Sequence, residues 1–131
     1  MVRQRAAVII IENNKILLLY RIKNNKKYYV IPGGGQEEGE KIEQTAIREI
    51  KEESTLDVTL GDKLFETCDK FSHCTYFIAS SFKGTPKLSG EELIRHSQGN
   101  LYEFQWKTKE EIKELNLFPK EIKEKIINLK N

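Results

Sequence analysis

The sequence predicts an α+β fold, an α-β-α sandwich in which a mixed β-sheet is flanked by helices. Aliphatic and β-branched runs dominate the first part of the chain, and such runs favour buried strands. A segment of helical composition follows these strands, and an amphipathic pattern ends the chain. Strands with helices set between and after them pack as layers around a shared core.

The N-terminal part predicts two buried strands, at residues 3 to 11 (RQRAAVIII) and 15 to 22 (KILLLYRI). The sequence ENN separates them, and Asn13 and Asn14 suit the left-handed backbone of a tight turn. KNNKK at residues 23 to 27 then forms a local basic cluster. We interpret it as a solvated loop, with contact to phosphate as the alternative.

The sequence KYYVI predicts a short strand that ends at Pro32 and the three glycines after it. Proline lacks the amide donor that a sheet requires, and glycine lacks a side chain that restrains the backbone. We therefore expect Gly33, Gly34 and Gly35 in a loop. There the backbone can approach a ligand closely and offer carbonyl or amide groups to a metal ion or a phosphate.

The second half of the chain predicts a helix from Lys41 to about Ser54, then further strands and two C-terminal helices. Thr108 is a candidate N-cap for the short helix KEEIKEL. Ile122, Ile126 and Leu129 fall at helical spacing, which favours a core-facing stripe on the last helix. The strands are predicted at LDVTLGDKLFETC, HCTYFIASSFKG and LYEFQWKT, with a polar loop at TPKLSGEELIRHSQGN.

Length and composition predict one domain that spans residues 1 to 131. The chain is 38% hydrophobic and carries a formal charge of +2, too mild to indicate nucleic acid binding by itself. No apolar run approaches the roughly 20 residues that cross a bilayer, and no signal peptide is evident. We therefore expect a cytoplasmic protein with no membrane partner. An exposed strand edge would permit a homodimer.

The two cysteines, Cys68 and Cys74, do not form the framework of a disulfide-rich secreted protein. We expect free thiols with no disulfide partner. The segment TCDKFSHCTY is compatible with a short hairpin in which the two cysteines would lie opposite each other.

The central helix concentrates negative charge on one face. Glu49, Glu52 and Glu53 stand at i, i+3 and i+4, beside the apolar stripe that contains Ala46. Two unit charges about 6 Å apart repel by roughly 3 kcal/mol at an effective dielectric near 20. Arg48 can pair with Glu52 but cannot neutralise three anions. A hard divalent cation, Mg²⁺ or Mn²⁺, would do so, whereas the alternative is a solvated surface face.

These residues resemble the box of the Nudix (MutT-like) hydrolases, G-x5-E-x7-R-E-U-x-E-E-x-G-U with U a bulky aliphatic residue. The resemblance extends over nearly the whole chain. One position departs, because Thr55 stands where the family has glycine, and we expect either a different helix ending or tolerated strain there. The matching residues are Gly34, Glu40, Arg48, Glu49, Ile50, Glu52, Glu53 and Leu56.

The resemblance implies a metal-dependent hydrolase that cleaves the diphosphate linkage of a nucleoside diphosphate joined to another moiety, with water as the nucleophile. It implies that Glu49, Glu52, Glu53 and the backbone of Gly34 bind the metal ion. Arg48 would orient the carboxylates. The implied catalytic set is Glu53, Glu49, Glu52, Arg48 and Glu40, and the candidate substrate-binding residues are Gly34, Gly35, Arg21 and Tyr29.

Three alternatives remain open at this stage. The general base is a box glutamate or a residue of a later loop, where Glu91 and Glu92 are candidates and His96 fits a bystander. The substrate is a small nucleotide or the 5′ end of an RNA. The third alternative is a non-catalytic nucleotide-binding regulatory module on the same fold, although such a module should have lost box carboxylates.

Overall fold

A computed structural model describes residues 2–89 and 100–129. Glu91, Glu92 and His96 lie outside these residues. The described strands are β1 (Arg3–Ile9), β2 (Ile11–Glu12), β3 (Lys15–Lys23), β4 (Lys26–Val30), β5 (Gly33–Gly35), β6 (Asp57–Cys68), β7 (Ser72–Lys83), β8 (Leu101–Thr108) and β9 (Leu117–Phe118). The described helices are α1 (Ile42–Ser54), α2 (Lys109–Ile112) and α3 (Lys120–Ile127).

The strands form two mixed sheets. In the first sheet the order is β5-β1-β7-β6, and β1 runs parallel to β7 while the other pairs are antiparallel. In the second sheet β3 pairs antiparallel with β2, β4 and β8, and β4 runs parallel to β9. The prediction of a mixed sheet with flanking helices is confirmed.

Strand β1 is buried on both faces because its residues alternate between two apolar clusters. Ala6 and Val8 pack in the cluster that contains Ala46 and Ile50 of α1. The intervening residues face the opposite side. That second cluster joins Ala7 and Ile9 to Ile112 of α2 and to Ile122 and Ile126 of α3. The first sheet therefore separates α1 from the C-terminal helices, as in an α-β-α sandwich.

The N-terminal apolar run is divided between the two sheets, so the prediction of one strand over residues 3 to 11 was wrong. Strand β1 ends at Ile9, and Ile11–Glu12 pairs with the start of β3 in the other sheet. The turn itself is confirmed, because Asn13 and Asn14 have φ angles of 53° and 64°. The basic cluster is a similar tight turn, with Asn24 and Asn25 at 52° and 65°.

The C-terminal helices follow the sequence prediction closely. Thr108 caps α2, since its side chain accepts a hydrogen bond from the amide of Glu111. Ile122 and Ile126 are fully buried, and Leu129 packs against the same cluster. None of the helices in residues 2–89 and 100–129 is long and apolar enough to cross a membrane.

The cysteines lie on the β6-β7 hairpin but not opposite each other, so that expectation was wrong. Cys74 is paired with Thr67, and Cys68 is paired with His73. Neighbouring positions on a strand point to opposite faces, so the two thiols are directed apart. Both are free, and burial raises the pKa of the Cys74 thiol.

Candidate active site

Helix α1 positions the predicted carboxylates by burying the apolar stripe beside them. Ala46 and Ile50 are fully buried against β1, which fixes the rotation of the helix. Glu53 is then only 3% exposed, whereas the side chains of Glu49 and Glu52 are 18% and 54% exposed. The three carboxylates therefore extend from the protein interior to the solvent along one helix face.

The Arg48 guanidinium connects four carboxylates. Its Nη1 atom lies 2.9 Å from Glu49 Oε1, 3.2 Å from Glu52 Oε2 and 3.5 Å from Glu37 Oε1. Its other nitrogens bind Glu40. The predicted i+4 pair between Arg48 and Glu52 is present, but it is one part of a larger network. One positive charge faces several negative charges, so the cluster keeps an excess of negative charge.

Glu40 is the most strongly bound partner of Arg48. Arg48 Nε donates to Glu40 Oε2 at 2.6 Å, and Nη2 donates to Oε1 at 3.0 Å. The Thr45 hydroxyl and the Glu37 amide donate to Glu40 Oε1 at 2.7 and 3.1 Å. The pKa of Glu40 is lowered to about 2, and the hydrogen bonds from Arg48 are the largest cause. Glu40 in turn raises the pKa of Arg48.

The glycine run is a strand and not a loop, which corrects the sequence prediction. Gly33–Gly35 pairs antiparallel with Ala7, Ala6 and Arg5 of β1, and none of the three glycines takes a positive φ. Conformational freedom therefore does not explain them. The explanation is close packing, because a Cβ atom at any of the three positions would meet neighbouring protein atoms.

Each glycine makes room for a different neighbour. A Cβ at Gly33 would lie 2.1 Å from the carbonyl oxygen of Ala6, and one at Gly34 would lie 2.2 Å from the Glu49 carboxylate. A Cβ at Gly35 would lie 2.2 Å from a guanidinium nitrogen of Arg3. Arg48 Nη2 also donates to the Gly35 carbonyl at 2.9 Å, so β5 and α1 are bound together at this point.

Helix α1 ends at Thr55 in the left-handed conformation, with φ 67° and ψ 5°. This is the tolerated strain that the sequence allowed as one outcome. The last carbonyls of a helix have no amide partner within the helix. Here the segment after Gly84 supplies donors to them. The Lys87 amide donates to Ser54 O and the Ser89 amide to Glu53 O, each at 2.9 Å, while the Ser89 hydroxyl contacts Glu52 O. Thr55 therefore does not displace the carboxylates.

The donor chemistry of this cluster fits a hard divalent cation, which prefers carboxylate and carbonyl oxygens. Glu49, Glu52 and Glu53 supply carboxylates, and Gly34 places backbone beside Glu49. Within residues 2–89 and 100–129, however, no three acidic, histidine or cysteine side chains converge as a metal site. Arg48 holds Glu49 and Glu52 instead. The metal-ligand assignment therefore stays a prediction.

A cavity of about 320 Å³ opens between the two sheets and reaches the glycine strand. Gly33 lines it, together with Arg5, Cys74 and Tyr76 of the first sheet and Phe118 of β9. Burial raises the pKa of both Cys74 and Tyr76, so both stay protonated at neutral pH. The volume suits a small organic group.

A sequence model of the NUDIX domain matches residues 2–126, which is most of the chain. The chain belongs to the Nudix family. The prediction of a Nudix hydrolase is thereby confirmed at the level of the family. No curated protein matches the sequence at a significant level.

Solved Nudix structures share this fold. A MutT structure described for Aliivibrio salmonicida and Vibrio cholerae has a TM-score of 0.79 and 20% identity, with 97% of this chain and 98% of that chain covered. A MutT protein from Bacillus halodurans has a TM-score of 0.71 and 23% identity, with 98% and 84% covered. An ADP-ribose pyrophosphatase from Streptococcus suis has a TM-score of 0.65 and 15% identity, with 90% and 81% covered. These identities indicate a shared fold.

Arg21 and Tyr29, the candidate substrate-binding side chains, lie on opposite faces of the second Nudix sheet. Tyr29 is paired with Tyr20, and their rings are 4.7 Å apart. Tyr29 also donates to Gln105 Oε1 at 3.1 Å. Arg21 is one residue further along β3, and its guanidinium lies 5.4 Å from the ring centre of Tyr102. The two side chains therefore cannot line one pocket, and their roles in binding substrate remain predictions.

Three residues of the site were not identified from the sequence. Thr45 is fully buried and donates to Glu40, while Ser89 binds the carbonyls of Glu52 and Glu53. Arg3 lies against Gly35. A threonine on the inner face of a helix, five residues after an acidic residue, was the available signal for Thr45. No local pattern indicates Arg3 or Ser89, because each reaches the site from a distant segment.

Proposed function

We propose that this Nudix protein is a metal-dependent hydrolase that cleaves the diphosphate linkage of a nucleoside diphosphate joined to another moiety, with water as the nucleophile. The observation that carries the proposal is the contact between Arg48 and the carboxylates of Glu40, Glu49 and Glu52, next to the strand Gly33–Gly35. This contact gathers the residues of the family box at one place.

The chemical difficulty of this reaction is charge, because water must approach a phosphorus atom surrounded by anionic oxygens. The carboxylates of Glu49, Glu52 and Glu53 and the carbonyl of Gly34 would hold a divalent cation, Mg²⁺ or Mn²⁺. When bound, such an ion stabilises negative charge on phosphate oxygens and makes water more acidic. The excess of carboxylates around one arginine favours binding of a cation.

Arg48 and Glu40 have a positioning role in this proposal. Glu40 binds one edge of the Arg48 guanidinium, through Nε and Nη2, which leaves Nη1 directed at Glu49 and Glu52. The pair thereby restricts the rotamers of both carboxylates before substrate arrives. The general base belongs to the box glutamates or to the later loop, where Glu91 and Glu92 remain candidates.

Two observations support a nucleotide as the substrate. The cavity beside Gly33 offers about 320 Å³ for the group joined to the diphosphate. Structural neighbours include MutT proteins and an ADP-ribose pyrophosphatase, and the latter name describes cleavage of a diphosphate.

We also propose a single domain over residues 1 to 131, a cytoplasmic location and a possible homodimer.

A substrate panel tests the proposal. Purified protein is incubated with nucleoside triphosphates, nucleotide sugars, ADP-ribose and dinucleoside polyphosphates, with and without Mg²⁺ or Mn²⁺, and the products are separated by chromatography. We expect release of a nucleoside monophosphate from at least one substrate, and only with the cation. Tight binding of a nucleotide without cleavage of any substrate would support the non-catalytic module instead.

A further inference from the structure

A second groove lies on the surface beside the first cavity, at the end of the β3-β4 hairpin. It has a volume of about 520 Å³ and is lined by Lys26, Lys27, Tyr28, Asn116 and Phe118. The groove contains Lys26 and Lys27, two of the three lysines in the basic cluster at residues 23 to 27. The proposed roles of Arg48 and the box carboxylates do not involve this basic cluster.

The groove is positively charged. Lys26 and Lys27 are both exposed, and none of the described residues that line the groove is acidic. Asn116 adds a polar side chain, whose amide donates to the Lys27 carbonyl at 3.2 Å. The Lys26 ammonium group, in a groove whose described lining residues carry no carboxylate, favours an anion such as a phosphate.

The groove also presents aromatic surface. The rings of Tyr28 and Phe118 are 5.8 Å apart and nearly perpendicular, at 88°. Phe118 is 43% exposed, so part of its ring is open to a ligand in the groove. Lys26 is two residues from Tyr28 on β4, so both side chains point to the same face. A phosphate and a stacked base can therefore bind side by side.

Phe118 joins this groove to the first cavity, because it lines both. The first cavity reaches Gly33 of the family box. A ligand whose diphosphate lies at the box, and which continues past the first cavity, therefore meets the basic groove next. A mononucleotide is too short to use both.

We propose that the groove of Lys26, Lys27, Tyr28, Asn116 and Phe118 is a subsite for a second nucleotide of the substrate. Its phosphate contacts Lys26, and its base stacks on the ring of Phe118 or Tyr28. The inference rests on the proposed function for the site that holds the first nucleotide. Two sources provide this chemistry, a 5′-triphosphorylated oligonucleotide and a dinucleoside polyphosphate.

Binding without a metal ion tests the subsite independently of turnover. Affinities of the full chain are measured by calorimetry for a nucleoside triphosphate, a 5′-triphosphorylated dinucleotide and a dinucleoside tetraphosphate. We expect at least one two-nucleotide ligand to bind about tenfold more tightly than the single nucleotide. The ligand with the larger gain identifies the source. Equal affinities for all three would overturn the subsite.

Paired variants locate the effect. In the variant Lys26→Gln/Lys27→Gln we expect the two-nucleotide preference to fall about tenfold, with the affinity for the single nucleotide changed less than about twofold. The control Lys15→Gln/Lys83→Gln removes the same charge from exposed residues outside the groove and should keep the preference. Lys26→Arg/Lys27→Arg should also keep it. Equal losses in the test and control variants would contradict the proposal.

Turnover of the same ligands with Mg²⁺ separates the two proposals. Cleavage of single nucleotides and two-nucleotide ligands with equal KM would leave the proposed function intact and overturn the subsite. A two-nucleotide preference in binding, without cleavage of any ligand, would leave the subsite intact and overturn the proposed function.

Discussion

Arg48 donates two hydrogen bonds to Glu40, from Nε to Oε2 at 2.6 Å and from Nη2 to Oε1 at 3.0 Å. This two-point contact joins Glu40, which lies just before α1, to the middle of that helix. It also aims the remaining guanidinium nitrogen at Glu49 and Glu52. The proposed activity depends on this contact, although neither residue needs to touch the substrate.

Arg48→Lys tests the geometry of the contact separately from its charge. Lysine keeps the positive charge but lacks the planar fork that binds Glu40 at two points. We expect kcat to fall by about 10- to 100-fold while the circular dichroism spectrum is unchanged. Lys51→Ala, on the exposed face of the same helix, is the matched control and should keep its activity. Full activity in Arg48→Lys would refute the positioning role.

Acid titration tests the Glu40 contact through stability. The pKa of Glu40 falls from 4.5 to about 2 in the folded protein, so folding favours the ionised carboxylate. Its contribution to the free energy of unfolding is therefore complete above about pH 4.5 and is lost as the pH falls towards 2. Urea unfolding of wild type and Glu40→Gln should show a difference that shrinks across this interval. A difference independent of pH would contradict the contact.

Gly34→Ala should reduce activity more than stability. The added Cβ would meet the Glu49 carboxylate, which is the end of a flexible side chain and can move away. We expect kcat to fall by about 10-fold or more, because the carboxylate leaves its position. Gly33→Ala is the contrasting variant. Its Cβ would meet backbone of Ala6, so we expect a loss of about 1–3 kcal/mol in the free energy of unfolding. Equal effects of both variants on stability would contradict this distinction.

Thr55→Gly should stabilise the protein without changing its activity. Thr55 has a left-handed backbone, which costs a non-glycine residue about 1–2 kcal/mol. We expect the free energy of unfolding to rise by about 1 kcal/mol, which chemical denaturation can resolve. Thr59→Gly, at an exposed position of β6, should instead destabilise the protein by about 0.5–1 kcal/mol. A loss of stability in Thr55→Gly would indicate that the Thr55 side chain is needed.

The sequence predicts those features that depend on neighbours along the chain. Helix α1 and the tight turn at Asn13 and Asn14 follow from local spacing and backbone preference. The i+4 pair of Arg48 and Glu52 follows in the same way. Contacts between distant segments do not. Gly35 lies 13 residues from Arg48 and binds it only because β5 and α1 pack together.

The errors of prediction have the same origin. The run of residues 3 to 11 has one uniform apolar pattern, so nothing in it marks the change of sheet after Ile9. Gly33–Gly35 has the composition of a loop but forms a strand, because the Ala6 backbone, Glu49 and Arg3 occupy the space of the missing side chains. Tertiary packing outweighs local propensity at both places.

The most direct test of the central claim is the rate of phosphate anhydride cleavage by wild type and Glu53→Gln during a titration with Mg²⁺. Glu53 is the most buried of the three predicted ligands, at 3% exposure, so its loss cannot be replaced by solvent. We predict activity that rises with the cation in wild type and falls by at least about 100-fold in the folded variant. Full turnover without any divalent cation, or full turnover by Glu53→Gln, would contradict the claim.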